Sequence, residues 1–223
     1  MQDQIPFPLP ELIINPEQRC PCLLLLDTSG SMSGSPIDQL NQGLKTFKEE
    51  LESDGMAMQR VEVGIITFGP VKLVSDFQTA KNHMPPHLTS SGDTPMGAAI
   101  ELGLEMLEQR KHMYRQAGIS YYRPWIFLIT DGAPTDAWKK AAQKVHAGDS
   151  NQQKQFCFFA VGVEGADMDT LSKICSPNRP PLKLNGLCFR ELFAWLSGSL
   201  SKVSNSQLGD TVLLLPPTGW SSV

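Results

Sequence analysis

The chain has 223 residues, 19 basic and 23 acidic side chains, a net charge of -4 and a pI near 5.6. That length suits one large domain with a substantial core better than two small ones. Lys and Arg are scattered, with no basic run longer than the pairs Arg110-Lys111 and Lys139-Lys140, so no nucleic-acid partner is expected: phosphate binding needs a concentrated positive face.

No apolar run approaches the ~18–20 residues that span a bilayer, so no membrane is expected either. The opening MQDQIPFPLPEL lacks a basic start followed by an apolar core, which makes the cytoplasm the expected compartment. The five cysteines, Cys20, Cys22, Cys157, Cys175 and Cys188, are odd in number and irregular in spacing, as expected of reduced thiols. Cys20-Pro-Cys22 has no second close pair to complete a zinc site, and buried cysteine is the simpler reading.

Residues 1–19, with Pro6, Pro8, Pro10 and Pro16, read as an extended arm with a short edge strand over Glu11–Asn15. The first main strand is Cys20–Asp27. Ser35-Pro36 opens a helix whose apolar residues Ile37, Leu40, Leu44, Phe47 and Leu51 follow helical spacing. Arg60–Phe68 is the next strand, and Gly69-Pro70 turns the chain into an antiparallel partner over Val71–Phe77. Thr94 is expected to cap a second long helix, with Pro95 at its first position and Met96, Ile100, Leu104 and Leu107 as its buried stripe. Trp125–Asp131 and Gln155–Val163 are near-continuous apolar runs, the pattern of central parallel strands. Between them Thr135–Ala147 reads as helix, closed by Gly148. Asp167–Ile174 is a short helix, Leu182–Leu184 a short strand and Cys188–Val203 a last amphipathic helix. His83, His87, His112 and His146 are expected on solvated surface. Trp125, Trp138 and Trp195 are expected to pack, and Trp220, in a Pro/Gly/Ser tail, is either disordered or an anchor in a groove, the anchor being slightly favoured.

Strands alternating with helices define an α/β domain: three layers, a mostly parallel central sheet with helices on both faces, and one antiparallel edge hairpin. In such sheets, sites form beyond the carboxyl ends of the strands. Asp27, Ser29 and Ser31 fall there after the first strand, Thr94 where a loop enters the second long helix, and Asp131 after WIFLIT. Two carboxylates and three hydroxyls are oxygen donors only, a set that suits Mg²⁺, Mn²⁺ or Ca²⁺ better than zinc or copper. Gly30, Gly34, Gly92 and Gly132 let these loops turn tightly.

D-T-S-G-S-M (27–32), G-D-T-P (92–95) and I-T-D-G (129–132) resemble the three pieces of the metal-ion-dependent adhesion site of von Willebrand factor A (VWA) domains, in the family's order over residues 20–203. The resemblance implies a Rossmann-like VWA fold over residues 20–204, flanked by the arm (1–19) and a Pro/Gly/Ser-containing tail (205–223). It implies that Ser29 and Ser31 ligate a cation, most suitably Mg²⁺, with Thr94 joining in an engaged state and Asp27 and Asp131 acting directly or through water. A partner protein's Asp or Glu would complete the shell. Thr28, Met32, Ser33, Asp93, Ala133 and Pro134 would form the selecting rim. The overall pattern is similar to the bacterial, tellurite-resistance-associated TerY-like branch, which works with kinase and phosphatase partners in stress responses.

Enzyme readings fit less well. Ser29 stands where an aspartic protease would have Gly and where a phosphatase with a nucleophilic aspartate would have a second acid. No histidine falls on the site edge, and G-x-x-x-x-G-K-[ST] is absent. Mg²⁺-dependent phosphoryl hydrolysis is the remaining catalytic alternative. The expectation is therefore a non-enzymatic, metal-dependent protein-binding module with no small-molecule substrate.

Overall fold

The structure, a computed structural model, describes residues 12, 14–214 and 216–222. Strands β1 (Cys20–Asp27), β2 (Val61–Phe68), β3 (Lys72–Thr79), β4 (Trp125–Thr130), β5 (Cys157–Gly162), β6 (Leu182–Leu184) and β7 (Ser221–Ser222) form one sheet in the order β3-β2-β1-β4-β5-β6-β7. β2, β1, β4, β5 and β6 run parallel. β3 closes one edge antiparallel, as the sequence suggests, and β7 closes the other antiparallel, which the sequence does not signal.

The helices are α1 (Ser35–Glu52), α2 (Gly55–Arg60), α3 (Met96–Ala117), α4 (Lys139–Gly148), α5 (Met168–Ile174) and α6 (Phe189–Ser204). Every residue of β1 is buried. Because strand side chains alternate, Leu24 and Leu26 join the core beneath α1 and α6, while Leu23 and Leu25 join the core beneath α3, α4 and α5. A fully buried leucine of this kind contributes about 1.5–3 kcal/mol relative to exposure. The two cores fix β1 as an interior strand between β2 and β4, and its carboxyl end carries Asp27.

Several boundaries differ from the sequence expectation. Leu12 and Ile14 have helical rather than strand backbone, and the rest of the expected strand over 11–15 includes residues outside those described. Arg60 closes α2 instead of opening β2, because Asp54 caps that short helix through Met56 N (2.9 Å) and Ala57 N (3.0 Å). β3 starts one residue later and runs two further than Val71–Phe77. Leu104 is only half-buried, and the inner face of α3 continues instead through Arg110 and Tyr114.

Those two residues belong to an ionic cluster at the amino-terminal edge of the sheet. Glu62 of β2 is fully buried and accepts from Arg19 Nε (2.9 Å), Arg110 Nε (2.8 Å) and the Tyr114 hydroxyl. Burial of the phenol, with the charge of Glu62, holds the Tyr114 pKa well above its ordinary value, so it remains a donor.

His83 departs from expectation. It is buried, neither ring nitrogen has a partner among the described residues, and burial lowers its pKa to about 4. The other three histidines are exposed. All five cysteines are free thiols; Cys20 and Cys22 lie in the apolar core, where burial pushes Cys20 up to about 12. Trp220 is an anchor on the body itself. It is 1% exposed, and its ring lies 5.2 Å from that of Trp195 on α6.

Candidate metal and partner site

β1 ends at Asp27 because the chain there leaves the apolar layer, and backbone bonds fix where it goes next. Thr28 N donates to Phe68 O (3.1 Å), Ser91 N to Thr28 O (2.7 Å) and Gly30 N to Gly92 O (2.9 Å). The exits of β1 and β2 and the loop before α3 are thus joined main chain to main chain. That approach depends on Gly69, where a Cβ would stand 2.5 Å from Ser29 N, and on Gly92, which has φ of +73°.

On this frame the polar side chains converge. Ser29 N donates to Asp27 Oδ1 (2.8 Å), and Thr130 Oγ1 donates to Asp27 Oδ2 (2.5 Å). Ser29 Oγ lies 3.0 Å from Ser31 Oγ, which donates to Asp131 Oδ1 (2.7 Å). Asp27, Ser29, Ser31 and Asp131 therefore form one connected group reaching from a fully buried carboxylate to an exposed hydroxyl. Burial raises the Asp27 pKa; bonds from Ser29 and Thr130 oppose this, and the charge of Asp131 adds to it. A buried carboxylate with a second one nearby is poised to gain from a positive charge.

Thr94 stands alongside, its hydroxyl 3.5 Å from where a Cβ on Gly132 would lie. It does not cap α3. Pro95 takes the cap position, the helix begins at Met96, and no side chain of its own caps it. The cap comes from the far side of the site: Asp136 accepts from Gly97 N (2.9 Å) and Ala98 N (2.8 Å). Thr135 ties the same loops, accepting from Thr94 N at Oγ1 (3.1 Å) and donating its own N–H to Thr94 O (3.0 Å). This explains why α4 starts at Lys139 and not at Thr135: residues 135 and 136 are spent on the neighbouring loop.

Of the expected rim, Ser33, Asp93 and Ala133 are exposed and Pro134 half-buried. Thr28 and Met32 are not rim residues. Thr28 is 4% exposed in the bonded strand exit, and Met32 packs into the core under α1. Sequence reasoning also missed Thr130, Thr135 and Asp136. Thr130, next to Asp131 at a strand end, offered a signal; Asp136 falls inside the helix expected over Thr135–Ala147 and offered none.

The donor set fits a hard cation. Among the described residues no cluster of three His, Cys, Asp or Glu side chains exists, so a cation here would rest on two carboxylates and neighbouring hydroxyls. A cation ligated directly by the hydroxyls, with the carboxylates acting through water, would keep a coordination position open for an incoming anion.

The family model of the von Willebrand factor type A domain matches residues 23–190. No curated protein matches the chain. Among solved structures, the pilus adhesin SpaC from Lactobacillus rhamnosus GG, in its open conformation, is similar in fold, with 16% identity and a TM-score of 0.65 over 83% of this chain. Proximal thread matrix protein 1 from the mussel byssus is similar at 18% identity and a TM-score of 0.56, also over 83%. The chain spans 30% of the adhesin and 48% of the mussel protein. No helix among the described residues is long and apolar enough to cross a membrane.

Proposed function

Starting from the fact that the chain belongs to the von Willebrand factor type A domain family, we propose that it is a protein-binding module whose contact passes through a divalent cation. Asp27, Ser29, Ser31, Thr94 and Asp131 would hold the ion, with Mg²⁺ suiting the all-oxygen set best and Mn²⁺ or Ca²⁺ also accommodated. When bound, the ion supplies a positive pole that a partner's Asp or Glu can complete. The observation that carries this reading is the connected group of two hydroxyls and two carboxylates at the carboxyl edge of β1 and β4. Ser33, Asp93, Ala133 and Pro134, which surround it at the surface, select the partner.

Binding is favoured over phosphoryl hydrolysis because both oxygens of Asp27 already accept hydrogen bonds, and the residue is fully buried. It holds charge in place rather than offering a free nucleophile or base. The finer assignment, a cytoplasmic bacterial protein of the TerY-like branch acting with kinase and phosphatase partners in a tellurite or stress response, is part of the same proposal. Its support is the sequence pattern.

The test is a thermal-shift titration with Mg²⁺, Mn²⁺ and Ca²⁺ on wild type, Ser31→Ala and Asp27→Asn. An ion that binds only the folded chain raises its midpoint by mass action. A rise in wild type that both variants lose is the expected result. Equal responses in all three place the ion elsewhere and overturn the assignment.

A further inference from the structure

A second polar constellation lies at the other end of the sheet, roughly 20 Å away by the length of β4. There a groove of about 910 Å³ runs between the amino-terminal ends of β4 and β5 and the segment 206–214. Its wall carries Arg123, Lys154 and Arg179 beside Trp125 and Phe159.

The wall is unevenly neutralised. Asp149, fully buried behind it, accepts from Arg123 Nη2 at 3.0 Å and from Ser176 Oγ at 3.1 Å. Arg179 approaches the same carboxylate only at 3.5 Å through Nε and Nη2, and its Nε is buried without a well-formed bond among the described residues. One carboxylate between two guanidinium groups leaves a positive charge. Lys154, exposed and in left-handed backbone (φ 47°), adds another, while Asp210 across the groove offsets one. Stacking 4.7 Å over the Phe159 ring holds the Arg179 guanidinium in place although its ionic partner is distant. A guanidinium fixed by stacking, 27% exposed and only loosely paired with its carboxylate, is a preorganised oxyanion receptor.

We propose that this groove binds a small ligand carrying a phosphate or carboxylate group on an apolar body, the oxyanion meeting Arg179 and Lys154 and the apolar part lying along Leu208, Val212 and Leu214. The site is independent of the cation site, and its occupancy does not require a metal.

The test follows the arginine Nε–H signals of Arg123 and Arg179 by NMR in the full chain, with chelator present. The probes are phenyl phosphate, benzoate, inorganic phosphate and, as a cationic control, benzylamine. Saturable shifts with at least one of the two ring-bearing oxyanions and none with benzylamine are expected, and the tighter of the two identifies the head group. Arg179→Gln should weaken that binding about tenfold, the loss of one charge-assisted bond. Lys154→Gln, at an exposed position, should weaken it about threefold with the fold unchanged. Absence of saturation with both ring-bearing oxyanions, shifts of equal size from benzylamine, or equal affinity in wild type and both variants overturns the site. Inorganic phosphate binding as tightly as phenyl phosphate overturns the role of the apolar wall.

Discussion

At the amino-terminal edge of the sheet, Glu62 is fully buried and bonded to Arg19, Arg110 and Tyr114. At the carboxyl edge, Asp27 is equally buried but is met only by neutral donors, with another carboxylate close by. Both are strand carboxylates withdrawn from water. The first has its countercharge in the sequence; the second lacks one and, in our proposal, receives it from solution. Burial therefore does not separate a structural carboxylate from a functional one. The sign of what surrounds it does.

The comparison can be broken most forcefully at Glu62. Glu62→Ala leaves two buried guanidinium groups without their shared partner, and a loss of about 3–5 kcal/mol is expected in urea denaturation. A loss under about 1 kcal/mol would show that water reaches the cluster and that the contrast with Asp27 is false. Gly69→Ala comes next. It forces a methyl group against the strand exit at Ser29 and should cost about 1–3 kcal/mol, together with the cation response, because it displaces the loop carrying both serines.

Asp27→Asn should act in the opposite sense. Without divalent ions it is expected to raise the thermal midpoint by about 2–4 °C, the shift that about 1 kcal/mol produces in a chain of this size. Since burial raises the Asp27 pKa, the folded chain binds more proton there than the unfolded chain does. The stability contribution of Asp27 is thus fully present below its ordinary value of 3.8 and is lost as pH rises through the folded pKa. The gap between variant and wild type should open over that window and then stay constant. A variant less stable than wild type at pH 7 would mean that Asp27 is already compensated. Smallest in stability is Ser31→Ala: its exposed hydroxyl should matter by under about 0.5 kcal/mol, while the midpoint rise with Mg²⁺ disappears.

Much of this arrangement was legible in the sequence because it is written in periodicity. The apolar runs of β1, β4 and β5 and the helical spacing of α1 mark buried faces, and once they define a parallel sheet, Asp27 and Asp131 fall on one edge. What was hidden depends on side chains acting across long sequence separations. Asp136 caps a helix that begins forty residues earlier in the chain, as the pairing of Gly97 with Asp136 shows. Arg19, Glu62 and Arg110 look like ordinary surface charges until the fold brings them together. His83 sits in a polar, proline-containing stretch whose composition suggests solvent, yet the loop folds inward. Thr28 and Met32 adjoin the motif in sequence yet are buried: Thr28 is held in the bonded strand exit, and Met32 points into the protein because the turn Gly30–Met32 is helical and not extended.

The return of the tail has a mechanical consequence. Chain following α6 runs back to the sheet, inserts Trp220 against Trp195 and pairs Ser221 and Ser222 with β6, while Asn185 N donates to Trp220 O at 2.8 Å. Tension applied from the carboxyl-terminal direction consequently meets this short strand and one indole first, and α6 carries load only after they yield. The last helix, packed along α1 through contacts such as Phe47 with Phe193, is buffered from pulling by a short fastening that can break and re-form while strands β1 to β6 stay paired.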